Sequence, residues 1–223
     1  MALLSPSPAS STPHPEVSGT APGGPEFGAS PAVDPLAALR AATADTHARL
    51  DSQLPLSRDA AGIVDYAWHV ATIGAWLADI DRLPIAADGW PAGWQQRQQA
   101  RRARVAADLE ALPDSDLPPM QPEPAELPST VLPEGFAWGV AYVVEGSQLG
   151  GHLLYRRLQE RLAPHPLHYL RGDDRSGPSP WPRFTAALRA AMTTPAQVQA
   201  TTDGAQWAFA SLSERFTRAG VLA

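Results

Sequence analysis

Residues 141–152 read Ala141-Tyr142-Val143-Val144-Glu145-Gly146-Ser147-Gln148-Leu149-Gly150-Gly151-His152, and whether this stretch is loop or helix decides the fold. Before it, Phe136, Val140, Val143 and Val144 fall at helical spacing, and after it Leu153, Leu154 and Leu158 resume an amphipathic pattern. The periodicity predicts one helix from about Glu134 to Leu162, with the glycines in its interior. Each interior glycine costs roughly 1 kcal/mol against alanine, so about 3 kcal/mol of helix propensity has to be offset by whatever needs them. Gly146 and Gly150 are four apart and share a face. Missing side chains there permit a kink and let a flat ligand, or another helix, approach the backbone closely.

Working outward, the rest of the chain also reads as helices. Asp34-Pro35 is a helix start, since Asp accepts from free amides of the first turn and Pro suits the first helical position. Leu36, Leu39, Thr43, Thr46, His47 and Leu50 then form a stripe on a helix that ends before Pro55. A second helix is expected after Asp59 to about Leu83, burying Ile63, Tyr66, Ala67, Val70, Ile73, Trp76, Leu77 and Ile80. A third spans about Pro91 to Leu112, and its polar, basic middle, Gln95 to Arg104, reads as a solvated face rather than a partner-docking patch. Pro113 to Pro133 holds seven prolines and forms a long connection. Beyond a loop through Gly172, Asp173, Asp174 and Gly177, Ser179-Pro180-Trp181 and Thr194-Pro195-Ala196-Gln197 start two more helices, the second as a capping box. No alternating segment competes as a strand, so the fold class is all-α.

Composition narrows the function. The 223 residues suit a single domain, 34–223, preceded by a Pro/Ser/Gly/Ala-rich tail, 1–33, too poor in apolar residues to offset its ordering entropy. The absence of cysteine excludes disulfide frameworks, thiolate-bound metals and covalently attached haem. A net charge of -6 and a pI near 5.4 argue against nucleic acid as a partner. The N-terminus lacks a positive, apolar export signal and no segment is apolar enough to span a bilayer, so a cytoplasmic, membrane-free protein is expected.

A second distinctive stretch is Leu39-Arg40-Ala41-Ala42-Thr43-Ala44-Asp45-Thr46-His47-Ala48-Arg49-Leu50-Asp51. Spacing alone leaves His47 either a satisfied core histidine or a metal ligand. Asp51, one turn on, can accept from the other imidazole nitrogen and fix its tautomer, an arrangement that suits a ligand. Arg40, two turns before His47, is either a surface arginine or a partner for a carboxylate held against the helix.

Together the two stretches, with the weaker Gly-Pro-Ser-Pro-Trp-Pro-Arg-Phe at 177–184, resemble the haem (heme) oxygenase family, especially the bacterial branch associated with bacteriophytochromes. The resemblance runs from about Pro35 to Phe216. It implies a helical bundle holding haem b between a proximal helix and a kinked, glycine-rich distal helix. By position it implies that His47 is the axial ligand, Asp51 its hydrogen-bond partner, and Arg40 the contact of a haem propionate. Gly146, Gly150 and Gly151 match the distal glycines, and Tyr142 lies one residue off a propionate-binding tyrosine. Many members carry aspartate directly after the first distal glycine to organise water; here the residue is Ser147, as it is in the phytochrome-associated branch. The implied activity is oxidative cleavage of haem, which is substrate as well as cofactor, by O2 and reductant to biliverdin, carbon monoxide and ferrous iron. A ferredoxin or reductase would donate electrons and a bacteriophytochrome would accept the bilin.

Other candidates are weaker. His69, His152, His165 and His168 have no acidic partner at ligand spacing, and Glu145 reads as a capping or packing residue more readily than as a catalytic carboxylate. Trp181, Trp207, Phe209 and Phe216 fill the bundle or wall a pocket. The rival from another class is a binding protein of the same fold that holds haem or a bilin without turnover. A related helical protein of thiamine metabolism would need a cysteine nucleophile, and a di-iron oxidase would need Glu-x-x-His pairs; neither is present.

Overall fold

The computed structural model describes residues 34–113, 127–128, 130–172 and 179–222, and within them every regular element is helical. The expected tail, most of the proline-rich connection and the Asp173–Gly177 part of the loop lie outside the described residues. Seven α-helices follow in chain order: α1 (Pro35–Gln53), α2 (Ile63–Asp81), α3 (Trp94–Glu110), α4 (Phe136–Leu158), α5 (His168–Arg171), α6 (Trp181–Ala191) and α7 (Pro195–Arg218). Among the described residues no helix is long and apolar enough to cross a membrane.

The local signals act as their chemistry requires. The Asp34 carboxylate accepts from the Leu36 amide at 3.2 Å with Pro35 in the first turn, and the chain leaves α1 just before Pro55. Thr194 and Gln197 exchange side-chain to backbone hydrogen bonds at 3.3 and 3.1 Å, the expected capping box. Gly135, at φ 102°, turns the chain into α4 in a conformation that L side chains disfavour.

α7 is the central helix, with α1, α2 and α4 packed on it. The closest crossing is α4 on α7. A Cβ at Gly139 would fall 1.8 Å from the Thr201 carbonyl oxygen, and one at Gly204 would fall 2.1 Å from that of Phe136. Around this crossing Trp76, Leu77, Val140, Val144, Ala205, Ala208 and Phe216 form a dry core. α2 is tied to α7 by the buried bidentate pair of Arg215 with Asp79, at 2.6 and 2.7 Å, and by the Trp76 indole donating to Ser211 at 3.0 Å.

Two expectations are corrected. The basic run of α3 is solvated only in part: Gln95, Gln96, Gln99 and Arg102 are exposed as expected, whereas Trp94, Gln98, Arg101, Val105 and Asp108 form a buried stripe, and Arg97 and Arg101 both grip Glu145 on α4. α5 lies where a loop was expected, because its cap comes from far away in sequence. The Asp108 carboxylate accepts from the amides of His168 and Tyr169, each at 2.7 Å, and from the Tyr66 hydroxyl at 2.5 Å. Burial, reinforced by the Asp108 charge, pushes the Tyr66 phenol far above its usual range.

Candidate functional site

Trp138, Tyr142, Gly146 and Gly150 succeed one another at four-residue steps along one face of α4. The first two carry rings that meet aromatics of α6: Trp138 against Phe184 at 6.1 Å between centroids and Tyr142 against Trp181 at 5.3 Å. At the next two positions the stripe is bare. A Cβ at Gly146 would touch only the edge of Trp181, at 3.5 Å, one at Gly150 would meet nothing within 4 Å, and one at Gly151 would reach Leu170 no closer than 3.8 Å. The glycines that helix packing demands are therefore Gly139 and Gly204. Gly146, Gly150 and Gly151 are not consumed by any packing neighbour, so the propensity they forfeit buys open surface along the backbone.

His47 is exposed at the edge of the α1 stripe rather than buried in it, with its side chain 61% accessible. The core-histidine alternative is thereby removed. Nδ1 lies 3.0 Å from the Asp51 carboxylate, which directs the N–H to that nitrogen and leaves the Nε2 lone pair for a metal. The ring is braced edge-on by Phe209 of α7, 5.9 Å between centroids. Among the described residues no three His, Cys, Asp or Glu side chains gather around a metal position, so a metal at Nε2 would have to bring its remaining ligands with it.

α1 and α4 both rest on α7 but make little contact with each other. Arg40 bridges the two sides electrostatically. Burial raises the Tyr142 phenol above its usual range, and the nearby Arg40 charge pulls it the other way. Arg40 and Tyr142 thus lie near each other, although they stand on different helices.

Ser147 donates its hydroxyl to the Val144 carbonyl at 2.8 Å, so its free lone pairs point outward as acceptors. Gln148 donates to the Tyr169 hydroxyl at 3.4 Å, and Ser147 also reaches that hydroxyl, whose pKa burial raises. Tyr169 was not anticipated from the sequence, because only the long-range cap from Asp108 brings α5 beneath α4. Glu145 is a clamp: both oxygens are engaged, by Arg97 at 2.7 Å and Arg101 at 2.6 Å. Other histidines among the described residues have their own neighbours. His69 packs on Phe216, His152 on Tyr155, and His165 donates through Nε2 to the Asp108 carbonyl at 2.9 Å while its Nδ1 accepts from Leu167. Trp181 lies beside Gly146 and Phe209 beside His47, and both Phe209 and Phe216 belong to the core.

No family model matches the chain. Over 120 residues, 53% of this chain and 67% of the relative, the sequence is 37% identical to a curated protein of Xanthomonas campestris pv. campestris (strain 8004) described as heme oxygenase. The chain belongs to the haem oxygenase family.

Proposed function

We propose that the protein is a haem oxygenase that binds haem b between α1 and α4 and cleaves it, with O2 and an external electron donor, to biliverdin, carbon monoxide and ferrous iron. The observation that carries this is the bare stripe of α4: Gly150 has nothing within 4 Å of its missing side chain and Gly146 only the edge of Trp181, which leaves the backbone open to a flat ligand. The facing residues fit the same group. A single exposed imidazole with its second nitrogen anchored on a carboxylate suits a metal already held equatorially, as a porphyrin holds iron. Arg40 and Tyr142, near each other, suit the propionates, through a guanidinium and a phenol O–H.

Bound haem supplies the iron that activates O2 and the porphyrin edge that is oxidised. The chain's own part is placement and proton supply. Asp51 orients the His47 ring, and Phe209 limits its rotation. His47 would hold the iron through a histidine nitrogen, a weaker electron donor than a thiolate. Glycines at 146 and 150 would keep side chains off the α4 backbone where the haem would be held. Ser147, its own proton committed to Val144, accepts from a water, and Tyr169 and Gln148 continue the polar path behind it. A ferredoxin or reductase would supply electrons, and a bacteriophytochrome would take up the bilin in the phytochrome-associated branch.

The test is an absorption titration with ferric haem followed by reduction in air. An imidazole-type Soret band that decays as a bilin band grows is the expected outcome, with the imidazole signature absent from His47→Ala. A His47→Ala protein with an unchanged axial-ligand spectrum would overturn the ligand assignment. A ferric complex that persists under reductant and O2 would favour the non-catalytic binding protein.

A further inference from the structure

Trp181, at the start of α6, stands at the boundary between the ringed and the bare half of the α4 stripe. The edge of its indole, Cη2 and Cζ3, lies 3.5 and 3.6 Å from the point that a Cβ on Gly146 would occupy, whereas a Cβ on Gly150 would have nothing within 4 Å. Side chains on a helix lean toward its N-terminus, so the indole covers the turn between Tyr142 and Gly146, where it also meets the Tyr142 ring at 5.3 Å between centroids. The fully open surface therefore begins one turn further on, about 6 Å along the helix axis. The indole is braced. It stacks on Phe184 at 5.7 Å and 26°, and Phe184 stacks on Trp138 at 6.1 Å and 29°, so rings of α6 and α4 back it in series. Pro182 restricts the backbone beside it, and the Trp181 amide donates to the Ser179 hydroxyl at 3.4 Å.

We propose that Trp181 is a specificity-determining contact of the ligand site, the stop against which the rim of the flat ligand rests. This deepens the haem reading above and rests on it. Along the stripe, Trp138 and Tyr142 already carry rings and Trp181 closes the corner at Gly146, while the side of Gly150 is open. A macrocycle laid on α4 thus has one closed end. Arg40 and Tyr142 grip charge, but that grip alone does not fix the seating: the two propionates are related by a near-mirror through the porphyrin, so the ring can be turned over between two poses that exchange methyl and vinyl groups on its rim. A rigid apolar edge on one side tells the two apart, because methyl and vinyl groups differ in size and shape against it. A single seating presents the same meso carbon in every turnover.

Proton NMR of the isotope-labelled full-length chain titrated with zinc protoporphyrin tests this, since that probe has the macrocycle and rim of haem and does not reduce O2. One set of macrocycle resonances is expected, with nuclear Overhauser contacts between the porphyrin rim and the outer edge of the Trp181 indole. Trp181→Phe keeps a ring on Phe184 but withdraws the edge from Gly146. Its thermal melt should match that of the unmodified chain while a second set of macrocycle resonances appears, a change that a purely structural role would not produce. With haem, reductant and O2, the same variant should give a mixture of bilin isomers where the unmodified chain gives one. Should Trp181→Phe fail to fold by circular dichroism, the Overhauser contact in the unmodified chain decides alone. Saturable binding without contact at Trp181, or the same single set in Trp181→Phe, would overturn the stop and leave the haem reading in place. No saturable binding of the porphyrin would overturn both.

Discussion

His47 and Asp51 show how little of a functional pair is visible in stability. Both are largely exposed, 61% and 67%, so their 3.0 Å contact contributes at most a few tenths of a kcal/mol to folding. Its value lies in the tautomer it imposes. Asp51→Asn should leave the melting temperature almost unchanged yet weaken haem binding roughly 10- to 100-fold, the range seen when a carboxylate behind a metal-bound histidine is removed. A spectrophotometric haem titration beside a thermal melt measures both. A large loss of stability with unchanged haem affinity would make Asp51 a structural residue. Ser147 carries a milder expectation, because an acceptor hydroxyl orders water less firmly than a carboxylate. Ser147→Ala should slow bilin formation under limiting reductant while leaving the ferric Soret band in place.

Within α4, two kinds of glycine stand in one helix and answer to different partners. Gly139 meets the α7 backbone, and its Cβ would sit 1.8 Å from a carbonyl oxygen, so Gly139→Ala must push the central helix pair apart at a cost of about 3 kcal/mol or more. Gly150 meets nothing. Gly150→Ala should fold as well or better, gaining up to about 1 kcal/mol of helix propensity, while bilin formation falls roughly 10- to 100-fold as the new methyl displaces the ligand. Urea melts and single-turnover absorbance changes separate the two effects. If Gly150→Ala turned over normally, the open surface on α4 would not be the distal face. The sequence made the glycine run conspicuous but could not tell these uses apart, because the partner of Gly139 is a backbone about 65 positions away. It likewise missed the buried half of the polar run of α3. Hydrophobic periodicity finds a buried face only when that face is apolar, whereas the inward stripe of α3 carries Gln98, Arg101 and Asp108, satisfied in part by α4, α2 and α5.

At the scale of the whole molecule, the elements written in local chemistry were legible: the Asp34-Pro35 and Thr194–Gln197 starts, the apolar stripe of α2, and the glycine helix. What stayed hidden was set by contacts between distant segments. Asp79 with Arg215, Glu145 with Arg97 and Arg101, and Asp108 with Tyr66 and α5 each join helices far apart in the chain. His69 belongs with them, because its consequence is global. It is buried against Phe216 with Nδ1 unpartnered, and burial depresses its pKa from 6.5 to about 4. Protonation is therefore harder in the fold than in the unfolded chain, which takes up the extra proton as pH falls below 6.5. The neutral-imidazole contribution is complete above pH 6.5 and is lost progressively down to about pH 4, amounting to about 3 kcal/mol for the full shift. His69→Phe, which keeps a flat ring beside Phe216, should remove this slope. Denaturant melts of both proteins at pH 7.5, 5.5 and 4.5 should show the unmodified chain losing stability faster than the variant. Parallel losses would mean that His69 is solvated in the fold and that other groups carry the acid sensitivity.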